Sequence, residues 1–222
     1  MTNILIAIPS YSGSIHIGTM RSLMGDILTL MGRNDRVAIY DEAGGAEIDT
    51  ARAIIVAEFM ASDADVLVMV DSDVVWQRGG LVRLIDSGRQ FVAGCYPHRK
   101  DPITWPLHLI DGETTLTVED GGVCEVKAVP GGFMCVRRTV VEQLIEEHPE
   151  LEFRSSKTEH PCYALFDHVW DGKTRLSEDL SFCARWRAIG GRIYIDPAIM
   201  MGHVGPKLFT GTLGEHKEEC MR

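Results

Sequence analysis

Two uninterrupted apolar runs limit most strongly the folds open to this chain. Residues 4–8 form the first run, which Pro9 ends, and residues 66–70 form the second, which leads directly into Asp71-Ser72-Asp73. A short apolar run without alternation is typical of a strand buried on both faces, as in a parallel sheet. Helical periodicity separates the two runs. We therefore expect an α/β fold whose N-terminal half alternates strands and helices.

The helical segments of this half are read from spacing and caps. Met20, Met24 and Met31 recur with leucine and isoleucine at helical spacing, which predicts a helix that packs its methionines into the core. Asp49 or Thr50 is expected to cap the helix that precedes the second apolar run.

The second half of the chain has a different pattern. Residues 107–110 and 114–118 are short strand-like runs separated by Asp111-Gly112, and they predict hairpins. We therefore expect a GT-A-like, Rossmann-like mixed sheet, in which antiparallel strands from the C-terminal half join a parallel N-terminal half. Residues 192–195 are expected to form the final strand.

Three further segments complete the expected layout of the C-terminal half. Thr139 is the expected cap of a helix over 139–147, and residues 151–176 are polar and irregular, as in a mobile loop over a site. A helix is expected to begin at Ser177, with Glu178 and Asp179 in its first turn.

The charge of the chain disfavours two classes of binding partner. The net charge of -10 argues against simple electrostatic adhesion to nucleic acid or to an anionic membrane. Basic residues cluster only in short runs, which are usually solvated surface. These runs are His98-Arg99-Lys100, Arg137-Arg138 and Arg185-Trp186-Arg187.

No secretory signal and no apolar run near the ~20 residues of a membrane span are present, so we expect a cytoplasmic protein without a membrane segment. The six cysteines form no CxxC pair, which argues against a zinc cluster, and they are expected to be reduced thiols.

The acids that follow the second apolar run are the best candidates for chemistry. Asp71 and Asp73 are two residues apart and point to the same side of an extended segment, at the edge where open α/β sheets bind ligands. Carboxylates are ligands that Mg²⁺ and Mn²⁺ accept, and His203 would shift the preference towards Mn²⁺. The alternatives are a strand-end turn for the acids and a surface position for the histidine.

Glu178 and Asp179 have two interpretations that the sequence does not separate. Acids in the first turn complement the dipole of a helix. A carboxylate at such a place also serves as a general base that deprotonates an acceptor hydroxyl.

Taken in order, these motifs resemble small GT-A glycosyltransferases, in the broad group related to family-2 enzymes and fungal mannan-synthesis enzymes that includes bacterial and phage members. The resemblance covers about residues 3–207. The motifs are Ile8-Pro9-Ser10-Tyr11, Asp71-Ser72-Asp73, Pro130-Gly131-Gly132-Phe133-Met134, Ser177-Glu178-Asp179-Leu180-Ser181-Phe182 and His203.

The resemblance implies a role for each matching position. Asp71, Asp73 and His203 would surround Mn²⁺ or Mg²⁺, with Asp71 also contacting ribose or sugar. Glu178 and Asp179 would be catalytic, with Asp179 the preferred base in an inverting reaction. Donor-binding roles fall to Pro9, Ser10 and Tyr11 at the base and ribose, Arg52 and Lys207 at the diphosphate, Ser72 beside the metal ligands, and Gly131, Gly132 and Phe133 at the donor sugar and acceptor.

The resemblance also implies the activity. A single domain over 1–222, with a nucleotide-binding half over 1–100 and an acceptor and catalytic half over 101–210, would transfer a hexosyl or pentosyl group from a UDP- or GDP-sugar. The acceptor hydroxyl would belong to a glycan, a small molecule or a modified DNA base. The stereochemical outcome, the sugar and an oligomeric state stay open.

Two alternatives come from other classes of protein. A nucleotidyltransferase acting on a sugar phosphate would share the sheet and the carboxylates, but it would carry a basic residue within 9–14, where this chain has none. A non-catalytic nucleotide-sugar binding module would share every binding motif.

Aromatic side chains offer stacking faces for a sugar or base, although most aromatics are core residues. Tyr163 and Trp170, in the polar segment, are the preferred candidates over Trp76, Trp105 and Trp186.

Overall fold

The computed structural model describes residues 1–215, and its N-terminal half alternates strands and helices as expected. The elements of this half are β1 (Asn3–Ser10), α1 (Ile17–Gly32), β2 (Arg36–Ala43), α2 (Ile48–Ala61), β3 (Val66–Val70), β4 (Val74–Trp76), α3 (Gly80–Asp86) and β5 (Phe91–Ala93).

The second half adds short strands and two α-helices of 10 and 11 residues. They are β6 (Cys124–Val126), β7 (Phe133–Arg137), α4 (Arg138–Glu147), a 3-10 helix (Pro149–Leu151), β8 (Glu152–Phe153), β9 (Cys162–Tyr163), β10 (Trp170–Asp171), β11 (Thr174–Arg175), α5 (Glu178–Ala188), β12 (Ile193–Ile195), β13 (Met200–Val204), β14 (Leu208–Thr212) and a 3-10 helix (Leu213–Glu215).

One mixed sheet organises the chain. Its seven strands lie in the order β2-β1-β3-β7-β5-β12-β6. Strand β1 runs parallel to β2 and β3, whereas β7 lies antiparallel between β3 and β5, and β6 is an antiparallel edge strand. The predicted fold class is therefore confirmed: a parallel N-terminal half extended by antiparallel strands of the C-terminal half.

The central strands are the most buried part of the molecule. All five residues of β3 are buried. Helices α1 and α3 cover one face of the sheet, and α2, α4 and α5 cover the other. Strand β3 ends at Val70, so Asp71 emerges from the core at the carboxyl edge of the sheet.

A small second sheet lies beside this edge. Its strands β4, β13 and β14 are antiparallel, and His203 on β13 is in register with Val74 on β4. The prediction that residues 192–195 form the final strand was therefore wrong, since two strands follow. Gly202, next to His203, allows close packing of the strands, since Val75 lies 2.6 Å from where a Cβ would be.

The methionines of α1 do not pack into the core, so that prediction was wrong. Leu23, Ile27 and Leu30 face the sheet. Met24 and Met31 lie about a quarter turn around the helix from this face and are 46% and 58% exposed.

Two predicted caps were also wrong. Helix α2 begins at Ile48 after Glu47, and the carboxylate of Asp49 accepts instead from the N–H of Thr50 at 2.7 Å. Helix α4 begins at Arg138, before Thr139. The predicted start of a helix at Ser177 was right to within one residue, since α5 begins at Glu178 and Ser177 is its N-cap residue.

Two segments differ from expectation in their local structure. The predicted hairpins over 107–118 are reduced to isolated bridges, His108 to Ala128 and Val118 to Cys124. The polar segment over 151–176 carries two short hairpins, β8–β9 and β10–β11, rather than irregular structure throughout.

Five of the six cysteines lie within the described residues as buried thiols. Cys95, Cys124, Cys135, Cys162 and Cys183 are free and buried, and burial raises the pKa of Cys135 to about 12. Cys220 lies outside the described residues. Within residues 1–215, no helix combines the length and apolar character needed to cross a bilayer.

Candidate functional site

Asp71 joins three elements at the carboxyl edge of the sheet. Its N–H donates to the carbonyl of Gly132 at 2.9 Å, which ties the end of β3 to the segment that enters β7. Its carboxylate lies above the buried side chain of Arg52 and is partly exposed. Gly132 therefore holds the backbone of Asp71, and Arg52 holds its carboxylate.

Arg52 is the cation beneath this carboxylate. Its side chain is 2% exposed, its Nη1 donates to the carbonyl of Gly131 at 2.8 Å, and its Nη2 lies 3.2 Å from Oδ1 of Asp71. Nη2 also lies 3.7 Å from Oε1 of Glu178. The attraction of these acids outweighs the cost of burial, and the pKa of Arg52 is raised. Arg52 thus holds two of the predicted site acids together.

Close packing explains the two glycines that precede Phe133. A Cβ on Gly131 would lie 2.3 Å from Nη1 of Arg52, and a Cβ on Gly132 would lie 2.6 Å from both Oδ2 of Asp71 and the hydroxyl of Tyr96. Both are contacts that real Cβ atoms do not make. Glycine is therefore required here so that the backbone can reach the polar groups of the site.

The two acids of α5 have different surroundings. The carboxylate of Asp179 accepts from the N–H of Gly131 at 3.1 Å, from the N–H of Leu180 at 2.8 Å and from the hydroxyl of Ser177. Glu178 lies near Arg52 at salt-bridge distance and is largely buried. Burial raises the pKa of Glu178, an effect that Arg52 reduces and Asp179 increases.

Asp73 and His203 form a second group beside the first. The N–H of Val204 donates to the carbonyl of Asp73 at 2.9 Å, so β13 holds the two residues side by side. Nδ1 of His203 lies 3.1 Å from the carbonyl of Pro97, and because a carbonyl only accepts, Nδ1 carries the proton. Nε2 then presents a lone pair, 3.6 Å from Oδ1 of Asp73.

Electrostatics keep this imidazole neutral. Burial lowers the pKa of His203 below the usual 6.5, and the nearby charge of Arg99 lowers it further. Nε2 of His203 and Oδ1 of Asp73 are therefore both electron-pair donors, and a cation bound between or beside them would accept from both.

Arg99 is the functional candidate that sequence reasoning missed. Its Nη2 contacts Oδ2 of Asp73, the oxygen that does not face His203. The only signal in the sequence was its place in the run His98-Arg99-Lys100, which was read as surface. The chain bends back here, with the N–H of His98 donating to the carbonyl of Thr104 at 2.8 Å, and this turn brings Arg99 to the site.

Solved structures resemble the whole chain. No family model matches the sequence, and no curated protein matches it. The crystal structure of A197 from STIV aligns with a TM-score of 0.55 at 16% identity, over 96% of this chain and 92% of that chain. The crystal structure of GalNAc-T7 with UDP, GalNAc and Mn²⁺ aligns with a TM-score of 0.52 at 13% identity, over 93% of this chain and 44% of that chain.

The chain has a GT-A fold. At these identities the likeness concerns the fold alone, and the roles of individual residues rest on the geometry. The GT-A fold was predicted from the order of five motifs, and the structure gathers most of those motifs at the carboxyl edge of the sheet.

The end of β1 closes on itself in this GT-A fold. The hydroxyl of Ser10 donates to the carbonyl of Ser14 at 2.8 Å and accepts from its N–H at 3.0 Å, so it fixes the turn after Pro9. Tyr11, within that turn, is 76% exposed. The carbonyl of Ser72 accepts from the N–H of His16 at 2.8 Å, which links the turn to the DxD segment. The base-binding and ribose-binding roles of these residues stay predictions.

Other predicted residues are less directly placed. Lys207 is exposed and pairs with Asp101, so its role at a diphosphate stays a prediction. Phe133 is fully buried and packs against Trp76. The interpretation of basic runs as solvated surface was wrong for Arg185, which is buried and donates to the carbonyls of Leu165 and Asp167.

The aromatic candidates separate by exposure. Trp76, Trp105 and Trp186 are core residues at 5%, 4% and 2% exposure, whereas Trp170 is 68% exposed at the start of the β10–β11 hairpin. Tyr163 is partly buried and hydrogen-bonds Glu152.

Proposed function

We propose that this GT-A chain transfers a sugar from a UDP- or GDP-sugar to an acceptor hydroxyl, with a divalent ion held by Asp73 and His203. The observation that carries the proposal is the approach of His203 Nε2 to Asp73 Oδ1, two electron-pair donors at 3.6 Å. Nitrogen with oxygen ligands suits Mn²⁺.

The residues present fit a metal that the donor helps to hold. No group of three or more His, Cys, Asp or Glu side chains that could hold an ion is found within residues 1–215. Ions that act on nucleotides commonly use one or two protein carboxylates and complete their shell with phosphate oxygens and water. When bound, the ion would neutralise charge on the diphosphate leaving group as a Lewis acid.

The remaining cations support the same proposal. Arg52 is buried and committed to Asp71 and Glu178, so in this proposal it positions those acids rather than contacting the diphosphate directly. Arg99 is 41% exposed, and in this proposal its guanidinium exchanges Asp73 for a phosphate of the donor when the metal binds Asp73. Exposed Lys207 would act with it.

The contacts favour Glu178 over Asp179 as the general base of an inverting reaction. Asp179 accepts three hydrogen bonds that hold Gly131 and the start of α5, so its carboxylate is occupied in fixing the site. Burial raises the pKa of Glu178, and a carboxylate with a higher pKa is a stronger base towards an acceptor hydroxyl. In a retaining reaction the same carboxylate would bind donor hydroxyls.

The test is a donor panel of UDP- and GDP-sugars, assayed for hydrolysis and transfer with Mn²⁺ and with chelator. Asp73→Ala is expected to lose turnover, and Asp63→Ala, an exposed acid at the opposite edge of the sheet, is expected to keep it. Full turnover of Asp73→Ala, or turnover in chelator, would contradict the metal assignment. Pyrophosphate release from a nucleoside triphosphate would favour a nucleotidyltransferase, and UDP binding without turnover would favour a binding module.

A further inference from the structure

A groove of about 610 Å³ lies along α5, the helix whose first turn carries Glu178 and Asp179, and none of the candidate catalytic or metal-binding residues described above lines it. Helix α5 forms one wall, starting with Leu180, the residue directly after Asp179. The segment around Leu107 and Leu109 forms another wall, and the β10–β11 hairpin with Trp170 forms the rim. Pockets that combine apolar walls with a few polar groups are typical ligand sites.

The hairpin is fixed relative to the catalytic acids. The N–H of Val169, next to Trp170, donates to the hydroxyl of Ser181 at 3.0 Å, and that hydroxyl donates to the carbonyl of Ser177 at 2.7 Å. The N–H of Leu176 closes the hairpin base on the carbonyl of Val169 at 2.9 Å. Trp170 is therefore held at a set position relative to the first turn of α5, which carries Glu178.

Trp170 presents a large flat face to solvent at the rim of this groove. Its side chain is 68% exposed, whereas the other three tryptophans are core residues. Indole combines a broad apolar face with a polar N–H, which suits a ligand with both apolar C–H faces and hydroxyl groups.

The charges of the residues that line the groove argue against a phosphate-rich ligand. Its two long basic side chains are already paired: Nζ of Lys127 lies 2.8 Å from Asp111, and Nη1 of Arg187 lies 2.7 Å from Glu125. Asp111 and Asp171 are exposed acids of the lining. Binding of DNA would need unpaired Lys or Arg side chains to neutralise its phosphates.

We infer that this groove binds a neutral carbohydrate chain as the acceptor, with Trp170 stacked on one sugar ring. Exposed carboxylates of the lining, such as Asp111 and Asp171, would accept hydrogen bonds from sugar hydroxyls. The inference rests on the proposed glycosyl transfer and names its acceptor class. It also gives a role to an exposed tryptophan whose hairpin is hydrogen-bonded to α5.

Tryptophan fluorescence provides a test that does not depend on turnover. Because Trp76, Trp105 and Trp186 are buried, acrylamide quenching of the native protein reports mainly on Trp170. Maltotetraose, cellotetraose, mannotetraose and chitotetraose are titrated in turn. At least one is expected to reduce quenching saturably in the wild type, and Trp170→Phe is expected to lose most of the quenchable signal.

Calorimetry with the protective saccharide then separates the groove from the donor site. Trp170→Ala is expected to weaken saccharide binding about tenfold, which corresponds to about 1.4 kcal/mol, because it removes the aromatic face on which the sugar ring stacks. UDP binding with Mn²⁺ is expected to be unchanged. Ile39→Ala, an exposed apolar residue on β2, serves as the matched control and is expected to alter neither.

Three results would overturn the inference: no protection by any saccharide, saccharide binding that survives Trp170→Ala, or stronger protection by single-stranded DNA than by every saccharide. Failure of the proposed function has a different signature. It appears as absent UDP–Mn²⁺ binding or absent donor turnover, and saccharide protection of Trp170 is measured separately from both.

Discussion

Nε2 of His203 lies 3.6 Å from Oδ1 of Asp73, although 130 residues separate them in the chain. The antiparallel pairing of β13 with β4 produces this approach, because His203 is in register with Val74, the next residue after Asp73. The small sheet thus builds the candidate metal site from backbone pairing, before any ion is bound. Metal affinity should therefore depend on side chains that touch Asp73.

Replacement of Arg99 by alanine is expected to raise the affinity for Mn²⁺ in the absence of nucleotide. Arg99 contacts Oδ2 of Asp73 and competes with the ion for its charge. The expected gain is about fivefold, because partly exposed ion pairs contribute up to about 1 kcal/mol. Electron paramagnetic resonance of free Mn²⁺ measures it. Arg36→Ala, which removes an exposed arginine on β2, is the control. An equal gain in that variant would show that the change in net charge, and not the contact with Asp73, raises the affinity for Mn²⁺.

Mn²⁺ binding is expected to fall as the pH falls through the pKa of His203. That pKa lies below 6.5, since burial and Arg99 both disfavour the imidazolium. The imidazole is therefore neutral and competent at pH 7, and protonation of Nε2 removes a ligand only in acid. A Mn²⁺ titration at several pH values measures the loss. His203→Gln should bind more weakly at pH 7 and show a shallower acid dependence, and an unchanged dependence would assign the loss to another group.

Replacement of Arg52 by methionine is expected to destabilise the fold by about 3 kcal/mol, because it leaves two partly buried carboxylates and the carbonyl of Gly131 without their cation. Urea unfolding at pH 7 measures this loss, and the exposed Arg36→Met is the control. The deficit is expected to shrink towards acid pH. Arg52 lowers the pKa of Glu178, so its removal raises that pKa further above the unfolded value. Such a group stabilises below its unfolded pKa of about 4.5 and loses that contribution as the pH rises.

Replacement of Gly132 by alanine is expected to lower kcat/KM about a hundredfold, as small displacements of reacting groups commonly do. The new Cβ would lie 2.6 Å from Oδ2 of Asp71 and from the hydroxyl of Tyr96, so both must shift. Gly32→Ala is the matched control, since nothing lies within 4 Å of its Cβ. Donor turnover measured with the two variants should separate them. Wild-type turnover in Gly132→Ala would show that Asp71 tolerates displacement.

The sequence predicted the sheet better than it predicted the surface of the helices. The bounds of β3 follow from an apolar run that ends at Asp71, because a strand buried on both faces needs no knowledge of its neighbours. Met24 and Met31 were misplaced for the opposite reason. Periodicity shows that such residues share one face of α1, but which face meets the sheet depends on where α1 packs.

The site was predicted as a set of residues but not as a set of contacts. Asp71, Arg52 and Glu178 were all predicted as site residues and lie together, but Arg52 was expected at the diphosphate and instead contacts the two acids. The commitment of Arg52 to Gly131 depends on packing between segments 79 residues apart, which a single sequence does not encode locally. Arg99 was missed because its approach to Asp73 depends on the turn that follows Pro97.

Replacement of Glu178 by glutamine is expected to separate stability from activity. Burial raises the pKa of Glu178, so the native state favours its neutral form over its charged form. By linkage this acid stabilises the fold at low pH and loses that contribution as the pH rises through its folded-state pKa. Glutamine is neutral at every pH. Glu178→Gln should therefore unfold at a higher urea concentration than wild type at pH 7, with the gain disappearing towards pH 4.

Donor transfer by Glu178→Gln should fall about a hundredfold to ten-thousandfold if Glu178 is the base. Asp179→Asn is the matched comparison: it weakens a carboxylate that accepts three hydrogen bonds, so it should lose stability as well as turnover. Reversed behaviour of the two variants would return the role of base to Asp179.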